Sequence, residues 1–261
     1  MHHRELLSLE GKVALVTGGG RGIGKFIATG LAEAGAHLVL ASRKLESCQK
    51  TAAELARLGH KVLPVQCDMA LPESIDNLVR ATMAEFGTVD VLVNNAGITW
   101  GAPTLEFPLE KWDKIFAVNV RGVWILTQKV AAIMKEKGGG KIINISSIFG
   151  SRGSSEMAHP AVAYNSSKAA IELLTKNLAV KLAPYDINVN AIAPGFFKTD
   201  MMAYLWKPEM QPALDLMLAY VPAHRAGEED DIKSLAVFLA SNASRYVSGA
   251  VIPLDGGLQA Q

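Results

Sequence analysis

Little in this chain ties it to an oxidising compartment, a membrane or a polyanion. Only two cysteines occur among its 261 residues. Cys48 falls on an expected helix and Cys67 at the end of an expected strand. Neither has metal-ligand spacing, so no metal site is expected, and both read as packing residues that a reducing compartment keeps as thiols. No uninterrupted apolar run reaches spanning length, and the N-terminal MHHRELLSLEG is too polar for a signal peptide, so a cytoplasmic protein with no membrane contact is expected. The formal net charge is +1, without a basic run, which leaves little attraction for nucleic acid; a small molecule is the expected partner. There is also no low-complexity tract, no internal repeat beyond a βα rhythm, and no composition shift that reads as a linker. With 49% hydrophobic residues, residues 1–261 are expected to form one domain with a sizeable core.

What the chain does have is alternation. Apolar strand patterns at 12–17, 37–41, 61–66, 89–94, 141–146, 188–192 and 251–254 are separated by helical patterns at 22–34, 46–58, 73–86, 109–137, 161–182 and 229–240. Strands joined through helices require crossovers, hence an α/β fold with a mostly parallel sheet covered on both faces. One long segment breaks the rhythm. Residues 195–227 are rich in Met, Leu and aromatics, divided by Pro208, Pro212 and Pro222, and follow the C-terminal end of a strand. Such an excursion is expected to be a substrate lid.

Two local patterns carry chemistry. In TGGGRGIG (17–24), between a strand and a helix, Gly18 can take dihedrals that a Cβ opposes, Gly22 lets the backbone approach a pyrophosphate, and Gly24 permits close packing of helix on strand. Ile23 turns inward with Phe26, Ile27 and Leu31. The bland alternative is a glycine-rich turn that binds nothing. The second pattern, YNSSK (164–168), puts the Tyr164 phenol and the Lys168 ammonium on one helical face. A Tyr and a Lys four apart also occur by chance.

Taken in order, TGGGRGIG at 17–24, Asp68, NNAG at 94–97, Asn119 in FAVNV, NISS at 144–147, YNSSK at 164–168 and PGFFKTDM at 194–201 resemble the short-chain dehydrogenase/reductase family. The branch is that of 3-oxoacyl thioester reductases and gluconate 5-dehydrogenases, and the resemblance runs from about Gly11 to Gly257. It implies a single-domain, doubly wound Rossmann fold with a seven-stranded sheet, an oxidoreductase that interconverts a secondary alcohol and a ketone with NAD(P), and a homotetramer formed partly through RYVSGAVIPLDGG. It also implies an Asn119–Ser147–Tyr164–Lys168 tetrad, in which Lys168 holds the nicotinamide ribose as well and Asn119 holds a water that joins the lysine to solvent. Asp68, followed by Met69, would accept from the adenine amino group. Asn95, Ala96 and Gly97 would line the adenosine ribose, while Asn94 ties strands together. Pro194 and Gly195 would shape the turn from which Phe197 and Thr199 reach the carboxamide and phosphates. A dinucleotide-sensing protein without turnover is the alternative from another class, and an intact tetrad speaks against it.

The chemistry can be followed from the groups themselves. Hydride transfer to a carbonyl leaves an oxygen to be protonated, and Tyr164 is the acid/base for that step; its usual pKa is near 10, so a nearby cation, Lys168, is needed to favour the phenolate. Ser147, just past its strand, can donate to the substrate oxygen. Cofactor choice is expected at the end of the second strand, where Ser42 stands in place of an acid and is followed by Arg43 and Lys44, with Arg21 nearby in the glycine loop. A 2′-phosphate would meet cations there, so NADP(H) is favoured over NAD(H). The segment between Ser147 and Tyr164 is a few residues longer than is common in the family. Its Arg152, Glu156 and His159 are candidates for a polar substrate group, or plain solvated loop residues. Trp100 and the lid residues Met201, Met202, Tyr204, Leu205 and Trp206 instead suggest a substrate apolar around its carbonyl, an aryl or acyl ketone and not a free sugar acid.

Overall fold

The computed structural model describes residues 2–157 and 159–260, apart from the side chains of Asp200, Met201 and Tyr204. After a short helix α1 (His3–Leu7), strands and helices alternate: β1 (Val13–Thr17), α2 (Gly22–Glu33), β2 (His37–Ser42), α3 (Leu45–Leu55), β3 (Val62–Gln66), α4 (Pro72–Phe86), β4 (Val91–Asn94), α5 (Leu109–Phe116), α6 (Val123–Lys137), β5 (Gly140–Ile145), α7 (Val162–Leu182), β6 (Ile187–Pro194), α8 (Gln211–Ala219), α9 (Glu229–Ala240) and β7 (Val251–Leu254). The seven strands form one sheet in the order β3-β2-β1-β4-β5-β6-β7. Every pairing is parallel, from Val13 opposite His37 to Pro194 opposite Leu254, so the sheet is wholly and not mostly parallel. Each strand is reached through a crossover, which leaves no hairpin to reverse one.

The central strands are buried on both sides. Along β1, Ala14 and Val16 join Ile27 and Leu31 of α2, Cys48 of α3 and Ile232 of α9. Val13 and Leu15 face the other way, onto Leu78 of α4, Leu126 and Val130 of α6 and Leu178 of α7. A fully buried Leu or Ile contributes roughly 1.5–3 kcal/mol, so two such layers hold the sheet as a rigid platform. Cys48 and Cys67 are buried free thiols in opposite layers. The strand order reverses direction at β1 and β4, and ligands of doubly wound sheets settle at the strand ends beside such a reversal.

Two departures from the sequence pattern bear on the site. The expected single helix 109–137 is two helices joined by a π-helical segment, Ala117–Gly122, which carries Asn119. At its end a Cβ on Gly122 would lie 2.2 Å from the Met69 carbonyl oxygen, so only glycine lets the helix pass that strand-end loop. The excursion 195–227 is also structured, with 3₁₀ turns at Asp200–Trp206 and Pro208–Met210 and then α8. Its two ends are clasped: Phe197 bridges Gly227, Gly227 N donates to Phe196 O at 2.8 Å, and Lys198 N donates to Gly227 O at 3.0 Å. Among the described residues no helix is long and apolar enough to cross a membrane.

Candidate functional site

A cleft of about 540 Å³ opens at the C-terminal ends of β1, β2, β4, β5 and β6. At its centre the chain leaves β1 through Gly18 (φ +68°), reaches Gly22 (φ +53°), and enters α2. A Cβ on Gly18 would stand 2.6 Å from Asn95 Nδ2, and one on Gly24 would stand 2.3 Å from the Gly18 carbonyl oxygen. Gly22 lies beneath Thr199, whose side chain is 3.6 Å from where a Cβ would be. The first turn of α2 has no side-chain cap at Arg21 and no acidic residue. Its N–H groups and the positive end of its dipole are thus left for an anion.

The loop after β4 is bound to this turn by Thr17, the first residue of the glycine motif. Thr17 Oγ1 accepts from the backbone N of Asn95 and of Ala96, both at 3.0 Å, and donates to Val93 O at 3.3 Å. Asn95 Nδ2 donates to Thr17 O at 2.9 Å. The Asn95 side chain is therefore spent on fastening β4 to β1, and what this stretch offers a ribose is the backbone of Asn95, Ala96 and Gly97, all of which line the cleft. Asn94 ties strands as expected, donating to Thr127 Oγ1 and to Asn144 Oδ1, each at 2.9 Å.

At one end of the cleft lie Ser42, Arg43, Asp68 and Met69, with Arg21 and Lys44. The Ser42 hydroxyl is engaged locally: it donates to Lys44 O at 2.7 Å and accepts from the Cys48 thiol at 3.2 Å. Cation charge at this end thus comes from Arg21, Arg43 and Lys44. The Asp68 carboxylate accepts from Ala70 N at 2.9 Å, which holds it at the rim.

At the other end stand Ser147, Tyr164 and Lys168, next to Ile98, Phe149, His159, Pro194, Gly195, Phe196, Phe197, Thr199 and Met202. Ser147 caps a 3₁₀ turn, its Oγ accepting from Phe149 N at 3.3 Å. Burial pushes the Tyr164 phenol above its usual pKa, and a hydrogen bond with Ser147 pulls it back in part. Lys168 is pushed down to about 8 by burial. Its Nζ donates to Ile145 O at 2.7 Å and lies 5.6 Å from the centroid of the Tyr164 ring. The sequence reading gave Lys168 the task of lowering the Tyr164 pKa; here its ammonium donates to a strand carbonyl, and burial has the largest effect on the phenol, upward.

Asn119 is buried, not a surface amide. Its Oδ1 accepts from Ile98 N at 2.9 Å, and its Nδ2 donates to Ile98 O at 2.9 Å and to Ser167 Oγ at 3.0 Å. Ser167 donates in turn to Tyr164 O at 2.7 Å. The π segment is thereby tied to both the loop after β4 and the turn that carries Tyr164. Ser146 braces the same helix from β5, donating to Glu172 Oε1 at 2.9 Å. Ser146 and Ser167 lie inside the NISS and YNSSK motifs without a role read for either; nothing in the sequence marked Glu172.

Several expected substrate residues do not line the cleft. Trp100 is 46% exposed, with Lys111 Nζ 4.3 Å above its ring. Leu205 is buried in the body. Trp206 has a buried indole N–H with no partner among the described residues, and Lys198 lies 5.3 Å from its ring centroid. Met202 does line the cleft; the side chains of Met201 and Tyr204 lie outside the described residues. From the long segment before Tyr164, Arg152 donates to Leu258 O at 3.3 Å and Glu156 accepts from Thr104 N at 2.8 Å. Only His159 of that trio reaches the cleft.

Residues 18–259 match a family model described as enoyl-(acyl carrier protein) reductase. The chain is 38% identical to gluconate 5-dehydrogenase of Gluconobacter oxydans over 259 residues, covering 99% of this chain and 98% of that protein. It is 37% identical to the rhamnolipids biosynthesis 3-oxoacyl-[acyl-carrier-protein] reductase of Pseudomonas aeruginosa, covering 96% and 97%. The solved structure of a gluconate 5-dehydrogenase from Burkholderia cenocepacia J2315, in complex with NADP and tartrate, superposes with a TM-score of 0.90 at 35% identity over the whole of both chains.

Proposed function

The chain belongs to the short-chain dehydrogenase/reductase family and is an oxidoreductase of CH–OH groups, and on that premise we propose that it interconverts a ketone and a secondary alcohol with NADP(H), using Tyr164 as the acid/base. The residues fit a dinucleotide: the uncapped, acid-free start of α2 suits a pyrophosphate, and the glycines keep its cradle open. Arg21 and Arg43, at a rim without a carboxylate on β2, suit a 2′-phosphate. When bound there, the cofactor supplies or takes the hydride.

The chain's own residues do the rest. Ser147 donates to the substrate oxygen as charge develops on it, and Tyr164, kept neutral by burial, gives that oxygen its proton. Lys168, charged at neutral pH and anchored on Ile145 O, supplies positive potential behind the phenol and a donor for the cofactor ribose. Asn119 positions: its committed amide fixes the loop after β4 against the Tyr164 turn, so a proton relay through its side chain is not part of this reading. The segment 195–227, clasped at Phe197 and Gly227, serves as the substrate lid. Cys48 and Cys67, buried free thiols, accord with a cytoplasmic location. Exposed Leu173 and Val180 on α7 and Trp124 on α6 give it apolar surface for assembly into a homotetramer.

The observation that carries the proposal is the convergence of Ser147, Tyr164 and Lys168 in one cleft with the uncapped, acid-free start of α2. With Ile98, Phe149, Phe196 and Met202 lining the cleft that holds the phenol, the preferred ketone is apolar on its flank, an aryl or acyl ketone before a 5-keto sugar acid. NADPH oxidation is to be followed with an aryl ketone, a 3-oxoacyl thioester and a 5-keto sugar acid, in wild type and in Tyr164→Phe. Turnover lost in Tyr164→Phe with NADPH binding retained is expected. Substantial turnover by the variant would sink the role of Tyr164, and tight NADPH binding without turnover of any ketone by wild type would favour a dinucleotide sensor.

A further inference from the structure

The last residues of the chain fold back onto the loop that carries Ser147. After β7, Asp255 closes a turn on itself: its carboxylate accepts from Gly257 N at 3.0 Å and from Gln259 N at 2.8 Å. The turn is closely packed. A Cβ on Gly195 would stand 2.8 Å from Asp255 Cα, and one on Gly256 would stand 2.8 Å from Val221 Cγ1, so it meets both the first residue of the 195–227 segment and a residue near its end. Ala223 N donates to Gly256 O at 3.0 Å, and Leu258 is buried.

From this anchor the Gln259 side chain reaches the loop after β5. Its Nε2 donates to Ile148 O and to Ser151 Oγ, both at 2.7 Å. Both amide protons are therefore spent on one short stretch, the 3₁₀ turn Ile148–Gly150 and the residue after it. Arg152 adds a second tie, donating to Leu258 O at 3.3 Å. The same 3₁₀ turn is close-packed on α7 and β5: a Cβ on Gly150 would lie 2.4 Å from Glu172 Oε1 and 2.7 Å from Ser146 Oγ.

What this turn presents is Ser147. That residue is its N-cap, and its Oγ accepts from Phe149 N at 3.3 Å. The N–H occupies one lone pair of the hydroxyl oxygen and leaves its proton for another acceptor. Ile148 and Ser151, the two residues that Gln259 grips, bracket Phe149 in the chain, so where Gln259 holds the turn decides where the Ser147 proton points.

We propose that Gln259 is a positioning residue for Ser147: through Ile148 O and Ser151 Oγ it sets the turn whose Phe149 N–H aims the Ser147 hydroxyl at the substrate oxygen. The proposal rests on the ketone-reductase reading of the cleft. Gln259 is not in the cleft wall, and it acts on the chemistry only through the turn.

The test is a double-mutant cycle with Ser147. Gln259→Leu removes both donors at similar length, and Gln259→Glu keeps the shape but sets a carboxylate against the Ile148 carbonyl. Each is made in wild type and in Ser147→Ala, and the rate of NADPH oxidation is read with the best ketone of the panel under single-turnover conditions, beside the Kd for NADPH. In the wild-type background each substitution is expected to lower the rate about tenfold with the Kd unchanged. In Ser147→Ala the same substitutions should change it by less than about twofold, because the hydroxyl they misdirect is gone. A loss by the same factor in both backgrounds marks a merely structural role and overturns the proposal, as does an unchanged rate in the wild-type background. If Gln259→Leu does not fold, the isosteric Gln259→Glu decides by the same criteria. Wild-type enzyme that binds NADPH and reduces no ketone of the panel overturns the ketone-reductase reading itself and the inference with it.

Discussion

Replacing Lys168 by Met should make the protein more stable at neutral pH while removing its activity. The ammonium is buried and its pKa falls from 10.5 to about 8. At 1.36 kcal/mol per pKa unit, keeping it charged inside the folded protein costs about 3 kcal/mol. Met fills much the same volume without charge, but leaves Ile145 O without the donor now 2.7 Å away, a loss of about 1–2 kcal/mol. The net expectation is a gain of about 1–2 kcal/mol at pH 7. The pH dependence is the sharper part. With the folded pKa below the unfolded one, the folded protein binds fewer protons than the unfolded chain between about 8 and 10.5, so wild-type stability from this group rises through that window as its cost disappears. The advantage of Lys168→Met should therefore shrink above about pH 8 and change sign near the upper end, where only the lost hydrogen bond remains. Urea unfolding of both proteins without cofactor, at several pH values from neutral to about 10, reads the difference directly; groups common to both cancel. A variant less stable than wild type at pH 7 by an amount that does not change with pH would refute the reasoning.

Two other substitutions probe the cofactor end. Ser42→Asp together with Arg43→Ala replaces a cationic rim by a carboxylate, and the ratio of kcat/KM for NADPH to that for NADH should fall from above one to below one; wild-type enzyme that uses NADH equally well would contradict the premise. Gly24→Ala would bring a Cβ to 2.3 Å from the Gly18 carbonyl oxygen, destabilising the protein by about 3 kcal/mol and weakening NADPH binding. Gly153→Ala, with no atom within 4 Å of the added carbon, is the matched control for thermal unfolding and should be near neutral.

Most of the sheet was legible because its central strands are buried on both faces and so read as continuous apolar runs between turn residues. The expected 12–17 and 37–41 differ from β1 and β2 by one residue. The helix 229–240 was legible to the residue; its acidic start and apolar spacing both belong to α9. The interruption at Ala117–Gly122 was not, because it follows from where Asn119 finds partners, and those partners, Ile98 and Ser167, are distant in sequence. The same limit explains the substrate residues. Trp100 and Leu205 are apolar and near the right motifs, but whether a side chain turns to the cleft, to the body or to solvent depends on what covers it: Lys111 sits over the first, and the body of the protein takes the second.

In the proposed mechanism the proton chemistry follows from the burial of Tyr164 and Lys168. Burial acts on Tyr164 and Lys168 in opposite directions along the pH scale but toward the same end, each away from its charged form. The phenol is driven up and so remains an acid at neutral pH. The ammonium is driven down, but only to about 8, so it is still mostly charged there. In the proposed mechanism this gives a neutral donor backed by a cation, with Ser147 as a second donor to the same oxygen, an arrangement that lowers the cost of a developing alkoxide. A direct Lys168–Tyr164 ion pair would have offered a phenolate, a base instead of an acid. The Ile145 carbonyl, at the end of β5 opposite Ile192, accepts from the ammonium at 2.7 Å.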